Sequence, residues 1–257
     1  GLVQTTMNLL VSSVHPYAAG LQGALAEVLL DFGANINGLE ENCSPLMTAI
    51  QFGYVDTGQM LAQRDARIDT VIAAAAVGRL DLINKFVIDR NTLAPEPEVI
   101  APTWVKIPLD AKGRIEFALA WACKCNHADV ADALLAKGVS PDAKDGDNMT
   151  ALHWASANGM LTTMDKLLDL GASLEVENVW GGTVLDSTVY LAGLRHSATA
   201  DYPTVVYKLL AAGANIVPVG IMALEKVFAG SNMLPPGITY IKEMFRGQTF
   251  TKVERKK

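Results

Sequence analysis

Two short sequence blocks recur along the chain and constrain its fold more than any other feature. Residues 44–53 and 150–159 both read as a hydroxyl residue, Pro or Ala, Leu, two variable positions, Ala, and a Gly nine positions after the start. A second block, with paired leucines, ends at a glycine in four places, and two of these glycines, Gly138 and Gly171, lie 33 residues apart. Such a period indicates a repeat architecture in which each copy buries the apolar face of the next.

The residue types at fixed positions of the blocks predict two helices in each copy. Ser44 and Thr150 can accept a hydrogen bond from an unpaired amide and so cap the first helix. Gly53 and Gly159 permit the positive φ at which that helix ends. The leucine pairs give the second helix a buried stripe, and the glycine that follows ends it.

These blocks resemble the ankyrin repeat, whose pattern is Thr-Pro-Leu-His, then Ala-Ala, Gly-His, Leu-Leu and Gly-Ala. Thr150, Leu152 and His153 stand in its Thr-x-Leu-His element, and the resemblance covers about residues 20–217. It implies an all-α ankyrin-repeat solenoid, in which His153 bonds to backbone and to the neighbouring repeat.

The resemblance and the period together predict one domain over residues 1–257, with about six repeats and a C-terminal helical cap. The repeats are expected at about 1–37, 38–69, 70–88, 114–143, 145–177 and 178–217. An amphipathic pair of segments at 218–247 is expected to cover the last repeat, because a solenoid otherwise exposes an apolar face there. A basic tail follows at 248–257.

Two segments depart from the period. The insertion 89–113 contains four prolines and Trp104, and prolines prevent a regular helix, so we expect an ordered or semi-rigid loop. The sixth copy is stretched by nine residues near 192–202. Insertions in a solenoid fall on loops that often border the binding face, although neutral drift in a surface loop explains them equally well.

Composition excludes several classes of protein. Half of the 257 residues are hydrophobic, so the chain can bury a core, and no apolar run is long enough to span a bilayer. The net charge of −6 has the wrong sign for a general nucleic-acid binder, and three cysteines are too few for a disulfide framework. We therefore expect a monomeric cytoplasmic protein without a nucleic-acid or membrane partner. A secreted effector is the alternative.

Motifs for catalysis or metal binding are missing from the sequence. There is no phosphate-binding glycine loop and no nucleophile-elbow motif. Cys123 and Cys125 are separated by one residue, whereas zinc sites usually space cysteines by two to four, and Cys123 with His127 supplies only two ligands. We predict no catalytic residue, no metal and no cofactor.

The resemblance implies a function as a non-catalytic module that binds another protein through its concave face and hairpin tips. Phe52, Trp180 and Tyr190 stand at positions that the repeat's own packing does not require, although adjoining loops could bury the last two. The predicted partner-binding residues, including Trp104 of the insertion, are Glu40, Glu41, Gln51, Phe52, Trp104, Asp147, Met149, Asn158, Trp180 and Tyr190.

The sequence also leaves open finer forms of this function and two functions of other classes. The family implies a bacterial or host-directed effector, or an inhibitor of a toxin, as finer forms of protein binding. An enzyme would require a site built from the 89–113 and 192–202 insertions, where Arg195, His196 and Asp201 form a candidate cluster. Nucleic-acid binding would rest on the basic C-terminal end.

Overall fold

The computed structural model describes residues 2–38, 44–97, 106–194, 197 and 199–215. Glu40, Glu41 and Trp104 lie outside these residues, and so do the segments 218–247 and 248–257, where a cap and a basic tail are predicted. The number of six repeats and the C-terminal cap therefore stay predictions.

The described residues are mostly helical, with thirteen helices and one short β-hairpin. The helices are α1 Leu2–Val11, α2 Val14–Ala18, α3 Gln22–Asp31, α4 Ser44–Gln51, α5 Val55–Gln63, α6 Val71–Ala76, α7 Leu80–Phe86, α8 Ala111–Lys124, α9 Ala128–Ala136, α10 Ala151–Asn158, α11 Leu161–Asp169, α12 Val184–Gly193 and α13 Tyr202–Ala211. The antiparallel strands are β1 Val87–Asp89 and β2 Thr92–Leu93.

The helices stack in two rows. One row runs α1, α4, α6, α8, α10 and α12, and each helix packs against the next. In the other row, α3 packs on α5, and α9 lies between α7 and α11. All six residues of α6 are buried, because this short alanine-rich helix lets the helices on both sides approach closely. Stacked helical pairs of this kind make a continuous core out of short local units.

Left-handed residues end the first helix of the four copies that contain α4, α6, α8 and α10. The glycine pattern predicts three of these ends. Gly53, Gly78 and Gly159 have φ of 79°, 74° and 70°. Asn126 takes the same place after α8 with a φ of 62°, since asparagine tolerates this region better than other side chains do. The ring of His127 then packs onto Gly78, where a Cβ atom would lie 2.6 Å from Nδ1.

A reciprocal hydrogen-bond pair caps α10. The hydroxyl of Thr150 accepts from the His153 N–H, and His153 Nδ1 accepts from the Thr150 N–H at 3.1 Å. The other ring nitrogen lies 3.4 Å from the carbonyl oxygen of Gly182 in the next hairpin. The predicted contacts of His153 with backbone and with its neighbouring repeat are therefore confirmed. Burial lowers the pKa of His153 to about 4.

The insertion is more structured than the sequence predicts. A β-hairpin, β1–β2, opens it, so the all-α description is wrong at residues 87–93. Helix α8 starts at Ala111, inside the predicted insertion, because the Asp110 carboxylate accepts from the Gly113 N–H at 2.8 Å and caps the helix. The segment between them is anchored by Glu96, which accepts from the Val71 N–H at 2.7 Å.

Candidate partner-binding groove

A buried carboxylate shapes the hairpin tip that precedes α10. Asp145 Oδ1 accepts from the backbone N–H groups of Asp147 and Met149, at 3.0 and 3.1 Å. Its other oxygen accepts from Trp154 Nε1 at 2.9 Å. One side chain thus fixes both the turn and the orientation of the indole, as Asx turns do. The tip presents Asp147 at the surface, where it is partly exposed.

The next tip repeats this arrangement with an amide in place of the carboxylate. Asn178 Oδ1 accepts from the N–H groups of Trp180 and Gly182, at 2.9 and 3.1 Å. The two tips are joined because the Val179 N–H donates to the Asp147 carbonyl at 3.0 Å. Asp147 and Trp180 therefore occupy equivalent positions on neighbouring tips, 33 residues apart.

The three aromatic side chains predicted to be free of core packing are exposed. Trp180 is 73% exposed, Tyr190 67% and Phe52 48%. The described parts of the adjoining loops therefore do not bury Trp180 and Tyr190. Large exposed rings of this kind are the side chains that most often dominate the affinity of a protein interface.

One groove brings most of the described candidates together. It measures about 330 Å³ and follows the ends of the first-row helices and the two tips. We call it the central groove, and the predicted residues that line it are Gln51, Phe52, Asp147, Asn158 and Trp180. These residues come from α4, α10 and two hairpin tips, so several copies build one surface.

A second depression shares a wall with the central groove. It measures about 530 Å³, and Trp154, Trp180 and Leu191 line both spaces. Tyr190 and Asp186 of α12 line its far side. We call it the Trp180 pocket. Its walls are largely aromatic and aliphatic, which suits a site that holds one side chain of a bound partner.

Met149 lies beneath the Trp180 pocket rather than at the tip surface. Its side chain is only 3% exposed, and its sulfur lies 3.3 Å from Asn178 Nδ2. The backbone bond to Asp145 turns this residue inward just before the cap of α10. Met149 was predicted to contact a partner directly; the structure gives it a supporting position instead.

The predicted set of partner-binding residues omits Lys124, a buried cation that lines the central groove. Lys124 is 6% exposed, and its Nζ donates to the Gln51 carbonyl at 2.8 Å. The ammonium also lies 5.0 Å from the ring centroid of Trp154 and 5.3 Å from that of Trp121. The repeat offers a signal, because Lys124 stands two residues before Asn126 as Gln51 stands two residues before Gly53.

Burial and charge act in opposite directions on this cation and its acidic neighbour. Burial lowers the pKa of Lys124, and the nearby Asp145 carboxylate opposes that shift. Burial raises the pKa of Asp145, and Lys124 opposes that shift in turn. The two side chains thus stabilise each other's charged form below the floor of the groove.

Two of the polar candidates also hold the repeats together. Asn158 Nδ2 donates to the carbonyls of Cys123 and Lys124, at 2.8 and 3.0 Å, at the end of α8. Gln51 Nε2 lies 3.5 Å from Asp147 Oδ2 across the groove. Substitutions at Asn158 would therefore change the stacking as well as the surface.

The described polar groups of the two insertions have separate structural roles. Glu96 pairs with Arg114 at 2.8 Å beside α6, and Asp201 caps α13 by accepting from the Thr204 N–H at 3.2 Å. Arg195 and His196 lie outside the described residues. Within the described ranges, no group of three or more His, Cys, Asp or Glu side chains could hold a metal ion.

The family match falls on the middle of the chain. Residues 71–178 match the family model for ankyrin repeats, in three copies. This segment is an ankyrin-repeat array. It contains Lys124, Asp147, Trp154 and Asn158 of the central groove, and Trp180 follows two residues after its end.

Curated relatives match over short stretches. The palmitoyltransferase AKR1 of Kluyveromyces lactis is 31% identical over 86 residues, which is 33% of this chain and 11% of that protein. The potassium channel KOR2 of Oryza sativa is 36% identical over 58 residues, 23% of this chain and 8% of the channel. The human palmitoyltransferase ZDHHC13 is 54% identical over 37 residues, 14% of this chain and 6% of the enzyme. The chain thus spans about a tenth or less of these relatives.

In the part of the chain that the structure describes, no helix is both long enough and apolar enough to cross a membrane.

Proposed function

We propose that this chain is a non-catalytic module that binds another protein in the central groove and the Trp180 pocket. Ankyrin repeats are protein-interaction modules, and this chain carries them. The observation that supports the finer proposal is the convergence of Gln51, Phe52, Asp147, Asn158 and Trp180 on one groove. These residues are far apart in sequence, and only the stacking of copies brings them together.

The exposed rings supply the affinity in this proposal. Burying a large aromatic side chain against a partner removes apolar surface from water, worth about 25 cal/mol per Å². Most of the surface of Trp180 and of Tyr190 is exposed in the free chain and can be buried by a partner. The tips are already held in place by the hydrogen bonds of Asp145, Asn178 and Lys124. Binding therefore costs the module little conformational entropy.

The relatives' names support a binding role rather than a shared chemistry. Palmitoyl transfer and potassium conduction are unrelated activities, and the matched stretches make up 11% or less of each of the three relatives described above. A short segment common to proteins with such different activities is better explained by recognition than by catalysis. We include in the proposal that the module acts as a monomer in the cytoplasm. The low cysteine content supports a reducing compartment.

Capture of binding proteins tests the proposal. The full chain, Trp180→Ala and Phe52→Ala are immobilised, exposed to an extract of the source cells, and the retained proteins are identified by mass spectrometry. Phe32→Ala serves as the matched control, because Phe32 is 78% exposed and lines neither space. We expect a protein that the wild type and the control retain and the other two lose.

The outcome against the proposal is a set of retained proteins that is the same for all four baits. The identity of a retained partner separates the finer proposals. A host protein would indicate an effector, a toxin would indicate an inhibitor, and several proteins of one complex would indicate a scaffold.

A further inference from the structure

The Trp180 pocket combines exposed aromatic rings with a single kind of charge. Among the described residues that line it, Asp186 is the one charged side chain. Trp180 and Tyr190 present most of their surface to solvent at its mouth. Lys124 lines the central groove but not this pocket, and its ammonium is held by the Gln51 carbonyl.

One oxygen of Asp186 accepts hydrogen bonds from Thr183, and the other accepts none from a described residue. Oδ2 accepts from the N–H of Thr183 at 3.1 Å and from its hydroxyl at 2.8 Å, which caps α12. No described residue donates to Oδ1. The capping bonds fix the orientation of the Asp186 carboxylate, and Asp186 is one of the residues that line the pocket.

We propose that the Trp180 pocket binds an arginine side chain of the partner, an inference that rests on the proposed function. The guanidinium stacks on the rings of Trp180 and Tyr190 and donates to Asp186 Oδ1, and the aliphatic stem packs against Leu191. Arginine suits this combination because its planar group stacks on aromatic faces and donates in a fixed fork.

Three observations favour arginine over other occupants. Both rings are about two-thirds or more exposed without a partner, so their faces are open to a planar group that stacks on them. An anionic side chain would meet Asp186 and no cation of the described lining. The chain itself is acidic, with a net charge of −6 although its last sixteen residues hold six basic and two acidic side chains, so it attracts basic segments.

The positive end of the α12 dipole opposes a cation beside Asp186. Stacking on the two rings must therefore supply most of the affinity, and the carboxylate mainly selects a cation over a neutral side chain. This division of roles predicts a larger loss on removal of Trp180 than on removal of the Asp186 charge.

Random peptides of twelve residues displayed on phage, selected against the full chain, provide the probe. Recovered peptides are synthesised, and their affinities are measured for wild type, Trp180→Ala, Phe52→Ala, Phe32→Ala and Asp186→Asn. The Asn variant keeps an oxygen for the α12 cap and removes the charge. Each peptide is also made with its arginine replaced by citrulline, a neutral group of the same shape, and by leucine.

We expect peptides with one essential arginine that bind Trp180→Ala at least tenfold more weakly and Phe32→Ala unchanged. Citrulline should weaken binding to wild type about three- to tenfold, and Asp186→Asn should remove most of that difference. A citrulline effect that persists in full in Asp186→Asn would overturn the role of Asp186.

Two other outcomes separate this inference from the function on which it rests. Peptides that depend on Trp180 but carry an apolar side chain in place of arginine would overturn the inference and leave protein binding in the groove supported. Failure to recover any peptide that depends on Trp180 or Phe52 would contradict both.

Discussion

Buried polar side chains fix the positions of the hairpin tips. Lys124, Asp145, His153 and Asn178 are all buried, and each forms a hydrogen bond with the backbone of a tip or a neighbouring helix. An unpaired buried polar group costs about 1–3 kcal/mol, so an arrangement that breaks these bonds is disfavoured. At the scale of single residues, the proposed binding surface is held in place by side chains that are themselves largely buried.

His153 should make stability depend on pH. Its Nδ1 accepts from the Thr150 N–H, and burial lowers the pKa of His153 to about 4. An unfolded histidine has a pKa of about 6.5, so between these values the unfolded state binds more protons and stability falls as the pH falls. We expect the free energy of unfolding in urea to be about 2 kcal/mol lower at pH 5 than at pH 7 from this residue.

The control for this prediction is His153→Gln, which cannot titrate in that range. Burial also lowers the pKa of His127, but that residue is present in both proteins and cancels in the comparison. The variant should lose clearly less stability than the wild type over the same pH interval. Equal losses would show that His153 does not carry the effect.

Lys124 and Asp145 should be energetically coupled. Lys124→Met keeps an apolar stem but leaves the Gln51 carbonyl without this donor and Asp145 without the nearby cation. We expect a loss of about 2–4 kcal/mol in the free energy of unfolding. The double variant Lys124→Met/Asp145→Asn should lose at least about 1 kcal/mol less free energy of unfolding than the two single variants lose together. Strict additivity would argue against the coupling.

The ends of the first helices show how one element depends on the next copy. Gly53 and Gly78 have nearly the same backbone, with φ of 79° and 74°. A Cβ atom on Gly53 would meet nothing within 4 Å, whereas on Gly78 it would press on the ring of His127. The two glycines therefore differ in their packing and not in their conformation.

This difference predicts unequal costs for the same substitution. Gly53→Ala should cost about 1 kcal/mol from backbone strain alone. Gly78→Ala should cost roughly 1–3 kcal/mol more, because the inter-repeat packing must shift. Thermal or urea unfolding measures both, and His127→Ala in the Gly78→Ala background should recover part of the excess. Equal costs for the two glycines would contradict the packing seen at His127.

Helix ends could be predicted from the sequence because a helix end depends on local backbone conformation. Glycine and asparagine at fixed positions of the repeat adopt the positive φ that ends a helix. The β1–β2 hairpin could not, since it has five strand residues and the prolines that follow indicate only a loop. The start of α8 was placed too late although Asp110 carries the signal of a cap. These errors fall where the insertion interrupts the period and no neighbouring copy guides the assignment.

The positions of the candidate site residues within the repeat could be predicted from the sequence, but the burial of their side chains could not. The repeat register indicates that Gln51, Asp147 and Trp180 lie on the surface of helix ends and tips, and all three line the central groove. Register alone does not show whether a side chain turns inward, which is why the burial of Met149 and of Lys124 was not predicted. Burial of these two depends on hydrogen bonds that only the folded tips form.

At the scale of the whole molecule, the proposed binding surface exists only while the copies are stacked. The central groove draws on α4, α10 and two tips, and the row of first helices connects them. A bound partner should therefore stabilise the array, since a ligand that binds only the folded state raises its stability by mass action. At a partner concentration of about 100 times the wild-type Kd, the Tm of the wild type should rise clearly more than that of Trp180→Ala, because tenfold weaker binding removes about 1.4 kcal/mol of this stabilisation.

The affinity of the captured partner for purified proteins is the most direct measurement. Isothermal titration with the full 257-residue chain, Trp180→Ala, Phe52→Ala and Phe32→Ala gives four Kd values, and thermal unfolding gives the matching Tm values. We predict at least tenfold weaker binding for the two groove variants, wild-type affinity for Phe32→Ala, and Tm values within about 2 °C of one another. Equal Kd values for all four proteins would contradict a binding surface at the central groove.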